Sequence, residues 1–155
     1  MTTANTSRSN VRTPVQTGAL VVGVVFLLVG VLGFIPGATT NYDEMQFAGH
    51  ESGALLLNLF QVSVLHNIVH LLFGVAGVAL ARTAGAARSY LLVGGIIYLV
   101  LWIYGLIVDP MAASNFVPLN NADNWLHLGL GVGMILLALV LPRRRDRVDT
   151  TTTRV

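Results

Sequence analysis

Residues 64–75 read VLHNIVHLLFGV, two histidines, an asparagine and a glycine set into an otherwise apolar run. On a helix, residues three, four and seven apart share a face. Asn67, His70 and Gly74 therefore lie along one stripe, with His66 a turn before His70. Composition says what surrounds that helix. The chain has 155 residues, of which 54% are hydrophobic and 10% charged, and its mean hydropathy is +0.72. A soluble domain of this size cannot bury so much apolar surface, so a bilayer is the expected solvent.

Four segments are apolar enough to cross it: 18–35, ending before Pro36; 64–81; 90–108, ending at Asp109-Pro110; and 121–141, ending at Pro142. At ~1.5 Å per residue they span roughly 27 to 32 Å, against a hydrocarbon core of ~30 Å. Only helices satisfy their own backbones in lipid without closing a barrel, which predicts an all-α, integral membrane four-helix bundle. Arg8, Arg12, Arg82, Arg88, Arg143, Arg144, Arg145, Arg147 and Arg154 all fall on one side of a four-pass chain. The other side carries Asp43, Glu44, Glu51, Asp109 and Asp123. The positive-inside rule then places both termini in the cytoplasm and the chain in the plasma (inner) membrane. A secretory signal is the competing reading of the first segment, but 18 apolar residues are long for a signal core.

Several classes fall away. Without cysteine there are no disulfides, thiolate nucleophiles, iron–sulfur clusters or Cys-type zinc sites. No basic run carries interleaved aromatics, which argues against nucleic acid.

The quoted stretch recurs. Ser63–Ala76, SVLHNIVHLLFGVA, laid on Asn120–Gly133, NNADNWLHLGLGVG, matches Asn67 with Asn124, His70 with His127 and Gly74 with Gly131, five of fourteen positions in all. GVVFLLVGVLGFI (23–35) likewise lies on GIIYLVLWIYGLI (95–107), with glycines coinciding at both ends. The bundle is thus expected to be two helical hairpins related as a parallel repeat. Ser63 and Asn120 are matched N-cap residues, and His70 and His127 should lie at similar depth. The repeat further suggests that the second and fourth segments meet on a pseudo-twofold axis, with Gly74 facing Gly131.

LHNIVHLLFGVAG followed by VPLNNADNWLHLGLGVG resembles the signature of a family of four-helix membrane proteins, mainly actinobacterial, catalogued as a domain of unknown function (DUF4383). The likeness covers roughly 18–141 and implies the four-pass topology without implying an activity. The expected organisation is a disordered N-terminal tail (1–16), a transmembrane domain (17–142) and a disordered basic tail (143–155) whose PRRRDR enforces topology and touches anionic lipid.

Polar side chains inside a membrane bundle are commonly interhelical glue, with glycines admitting close backbone approach. That is the leading expectation for Asn67, His70, Asn124, His127, Gly74 and Gly131. The alternative is a ligand site. His66 and His70 have the spacing at which two imidazoles grip a divalent metal, with His127, Asp123 or Asp109 to complete the site. Haem b between His70 and His127, or a quinone, fits the symmetry. Asn67 stands where H-E-x-x-H has its general base, so metalloprotease chemistry is excluded. His66 aligns with Asp123: either a proton-responsive pair, or a carboxylate favoured by the helix dipole beside an interfacial histidine. Trp125 and Tyr104 suit an aromatic belt better than a cofactor pocket. His50, with Asp43, Glu44 and Glu51, marks a solvated acidic loop (36–62) or a weak cation site, within which GALLLNLF (53–60) is expected at the membrane interface. The function expected is that of a small multipass protein without catalytic activity, structural or accessory, partnered by the bilayer and by itself or a larger complex.

Overall fold

The structure, a computed structural model, describes residues 11–112 and 114–143. Four helices dominate it: α1 (Pro14–Leu32), α2 (Val64–Leu80), α3 (Ala84–Ile107) and α4 (Asn121–Val140). Of these, α1, α3 and α4 are long and apolar enough to cross a bilayer. Helix α2 is apolar but has 17 residues, about 26 Å at ~1.5 Å per residue. The bundle is inside-out relative to a soluble protein. Glycine, alanine, histidine and asparagine are buried, while Val21, Leu28, Leu72, Val75, Val93, Ile96, Val100 and Leu136 are exposed. A surface of that kind is stable only against lipid, and the chain is an integral membrane four-helix bundle.

Helix starts follow their caps. Ser63 Oγ accepts the His66 amide (3.2 Å) and Asn120 Oδ1 that of Asp123 (2.9 Å), at the two matched positions. The other starts lie earlier than expected. Helix α1 begins at Pro14, because the Gln16 carboxamide oxygen accepts from both the amide and the hydroxyl of Thr13. Residues 14–16 are thus helical and not tail, and Gln16 Nε2 clamps the end of α2 through the carbonyls of Ala81 (3.0 Å) and Arg82 (2.8 Å). Helix α3 begins at Ala84, since Thr83 caps the Ala86 amide at 3.2 Å and alanines carry the first turn. Residues 1–10 and 144–155 of the expected tails lie outside the described residues.

Within each hairpin the helices touch backbone to backbone. A Cβ on Gly23 would lie 2.8 Å from the Val78 nitrogen and 3.0 Å from the Gly74 carbonyl; one on Gly95 would lie 2.9 Å from the Gly131 carbonyl. Conversely, Gly74 meets Leu27 and Gly131 meets Leu99, the equivalent residue. This corrects the expectation that Gly74 and Gly131 face each other: each glycine is used inside its own hairpin, α1 on α2 and α3 on α4. The hairpins meet instead mainly through α1 and α3. There Phe26 stacks on Tyr98, its repeat equivalent, with centroids 5.3 Å apart and planes 17° from parallel, so the pseudo-twofold axis passes between these rings.

The segment joining α1 to α2 folds into a cap and not a solvated loop. Strands β1 (Thr39–Thr40), β2 (Leu55–Leu56) and β3 (Phe60–Gln61) form an antiparallel sheet in the order β1-β2-β3, with a 3₁₀ turn at Tyr42–Glu44. Its core is Ala54, Leu56 and Val62, packed on Val29 and Leu32 of α1 with Met45 and Phe60. The cap also completes α2, whose first free amides, Val64 and Leu65, donate to the carbonyls of Gln46 (3.1 Å) and Phe47 (2.9 Å).

Candidate functional site

Beneath the cap, the first two turns of α2 and α4 hold the buried polar residues His66, Asn67, His70, Asp123, Asn124 and His127. His66, expected at the interface, is 8% exposed. Its Nδ1 lies 3.2 Å from the Gln61 carbonyl, and that of His70 lies 3.0 Å from the His66 carbonyl. A carbonyl only accepts, so each Nδ1 carries the proton and, in a neutral ring, each Nε2 is left as an acceptor. The two rings are 4.4 Å apart.

Aromatic contacts connect the halves. His70 packs on Phe26 (5.5 Å), Phe26 on Tyr98, and Tyr98 on His127 (5.2 Å). The route from His70 to His127 is pseudosymmetric about the Phe26–Tyr98 stack. Neither Phe26 nor a buried role for Tyr98 was anticipated; the signal available was that both occupy equivalent places in the 23–35 and 95–107 alignment.

The asparagines occupy glycine notches. Any Cβ on Gly33 would collide with the Asn67 amide, and one on Gly105 with the Asn124 amide. These glycines are the second coincidence of that alignment. Asn124 Nδ2 donates to the Gly105 carbonyl at 2.8 Å, whereas Asn67 Nδ2 reaches only Met45 Sδ at 3.9 Å. Asn124 Oδ1 and His127 Nδ1 are buried without a hydrogen-bond partner among the described residues.

Gln61 is the residue that sequence reasoning passed over. Its carbonyl faces His66, and its amide donates to Asp123 Oδ2 at 3.0 Å, which also accepts the Asn120 amide at 3.1 Å. The Gln61 side chain donates to the carbonyls of Ser52 (2.7 Å) and His50 (3.1 Å). One cap residue therefore ties α2, α4 and the loop before β2 together. Among the described residues, no three of His, Asp or Glu are arranged to hold a metal ion. Trp125 is 68% exposed, as a belt residue would be, and the Tyr104 hydroxyl donates to the Ser114 carbonyl.

At the other end of the bundle two lipid-facing cavities repeat one another. One, of about 250 Å³, lies between α2 and α3 against Leu80, Ser89, Tyr90 and Gly94. The other, of about 430 Å³, lies between α1 and α4 against Thr17, Gly18, Val22 and Leu137.

A two-hairpin membrane bundle with a polar centre under an extramembrane cap is the class of protein that this geometry defines. The family model described as Domain of unknown function (DUF4383) matches residues 16–140, and the chain belongs to that family. No curated protein and no solved structure matches the chain.

Proposed function

We propose that this protein is a non-catalytic component of the plasma (inner) membrane, with both termini in the cytoplasm and the cap outside, that packs against itself or a larger membrane complex. The observation that carries the reading is how the polar centre is spent. Asn67 and Asn124 fill glycine notches on their hairpin partners, His66 and Asp123 hold opposite sides of the Gln61 peptide, and His70 and His127 flank the aromatic stack on the axis. These are contacts that lock helices together, which in lipid is the usual role of small and amide residues. The orientation rests on the arginine distribution.

A second reading, a metal, haem b or quinone site at His66, His70 and His127, draws on two features. The Nδ1 atoms of His66 and His70 are tied to carbonyls, as those of metal-ligating histidines often are. His127 Nδ1 is buried without a hydrogen bond to any of the described residues. Against it, the contacts between His70 and His127 run through Phe26 and Tyr98, which leaves those rings where a shared planar group would need room.

Absorbance and metal analysis of the protein purified in mild detergent separate the two. The structural reading expects no stoichiometric chromophore or metal, and His70→Gln and His127→Gln proteins that still fold. A Soret band or stoichiometric metal lost in both variants would overturn it.

A further inference from the structure

The cap has an apolar edge that its own core does not use. Strands β2 and β3 are joined by a tight turn in which the Leu59 amide donates to the Leu56 carbonyl at 3.1 Å, and both central residues are left-handed, Leu57 at φ 53° and Asn58 at φ 58°. Asparagine suits such a position and glycine suits it best; a bulky leucine is strained there. Leu57 is nevertheless 64% exposed and Leu59 53%, while Leu56 between the strands is buried. The turn thus holds Leu57 and Leu59 outward, and Leu57 does so in a conformation that leucine does not favour.

Three observations say what lies against them. The Leu57 amide donates to the Ala38 carbonyl at 2.8 Å, so the tip sits just beyond exposed Ile35, which follows the exposed stripe Val24, Leu28 and Val31 of α1 past the end of the helix. On the other side, Asn120 Nδ2 donates to the Leu59 carbonyl at 2.8 Å, which fixes the tip at the first turn of α4, about one turn from exposed Trp125. Residues 53–60, GALLLNLF, carry no charge, whereas Asp43, Glu44 and Glu51 lie elsewhere in the cap. The apolar edge is therefore continuous with the lipid-facing surface, and Glu44, whose carboxylate lies against Gly53, meets the segment at the end away from the turn.

We propose that the β2–β3 turn dips Leu57 and Leu59 into the headgroup–acyl boundary of the adjoining leaflet, anchoring the cap to lipid on the α1–α4 side. Burial of two leucines in that boundary offsets the strain of the turn and holds the cap, with its Gln61 clamp, at a fixed height over the polar centre.

The chain lacks cysteine, so single nitroxide labels can be placed directly. In phosphatidylcholine nanodiscs holding one chain each, a label at Leu57→Cys should show a several-fold higher ratio of oxygen to water-soluble nickel-chelate collisions than one at Glu51→Cys. A label at Leu59→Cys should behave like the former. Adding Leu57→Asn, which suits the turn without an apolar side chain, should keep the fold and move the Leu59 label towards water. Equal ratios at 51 and 57 would overturn the proposal. So would protection at 57 that appears only with two or more chains per disc, because the covering surface would then be a second copy.

Discussion

In the α3–α4 hairpin the Asn124 amide donates to the Gly105 carbonyl at 2.8 Å; in the α1–α2 hairpin the matching Asn67, lodged against the matching Gly33, finds only the Met45 sulfur at 3.9 Å. The steric device is repeated and the hydrogen bond is not. Close packing of two helices depends on what is missing at Gly23, Gly74, Gly95 and Gly131, and both halves keep that absence. Hydrogen bonds depend on what the connecting segment brings. Only the α1–α2 connection folds into a cap, and it supplies Met45 and Gln61. The departure at His66 and Asp123 follows from the same cause. The backbone of one residue, Gln61, presents a carbonyl to α2 and an amide to α4, so it needs a donor on one side and an acceptor on the other. His66 meets the carbonyl as a donor and Asp123 meets the amide as an acceptor.

The comparison breaks most readily at the glycines. Gly23→Val and Gly95→Val should each cost about 3 kcal/mol or more, because the added atoms meet backbone that cannot move aside. Gly133→Val, with nothing within 4 Å of its Cβ position, should lie far closer to wild type in the same equilibrium unfolding in mixed micelles. Damage at only one of the two packed sites would mean that the hairpins are not sterically equivalent.

The asparagines sharpen it. Asn124→Leu should cost about 1–2 kcal/mol and Asn67→Leu about 0.5 kcal/mol, since only the first loses a hydrogen bond to a carbonyl. Equal losses would show that the sulfur contact contributes as much as the amide–carbonyl bond.

At the clamp, Asp123→Asn replaces the carboxyl acceptor of two amides by a carboxamide. We expect a local loss of about 1 kcal/mol, read as roughly fivefold faster hydrogen exchange at the Gln61 amide with little change in the helix interiors. Unchanged exchange there would remove Asp123 from the clamp. The smallest effect should be Tyr98→Phe, which makes the axial pair two phenylalanines and should stay within about 0.5 kcal/mol of wild type by thermal unfolding. A larger loss would show that the hydroxyl matters and that the axial pair is not merely a stacked contact.

Much of the centre was legible. N-x-x-H-x-x-x-G written twice, with Ser63 and Asn120 in register, already implied two matched caps and two matched faces, and both caps form. The early starts of α1 and α3 were also written, as Thr13-Pro14 with Gln16 and as Thr83 before alanines, but neighbouring arginine and threonine made these stretches look like loop. The sheet left little trace, because strands of two residues cannot display an alternation.

The sequence by itself determined the solvent, the number of helices, the repeat and the buried polar pairs Asn67 with Asn124 and His70 with His127, since those follow from composition and from periodicity along a single helix. Which helix each face meets was decided only by the tertiary structure. A glycine stripe says that something comes close without saying what, and Gly74 could have faced Gly131 as readily as Gly23. The choice was made between helices: each hairpin closes on its own glycines, which leaves Phe26 and Tyr98 to meet on the axis. The cap, held over the polar centre by the backbone amide and carbonyl of one residue, depends on residues 61, 66 and 123 arriving together from three elements.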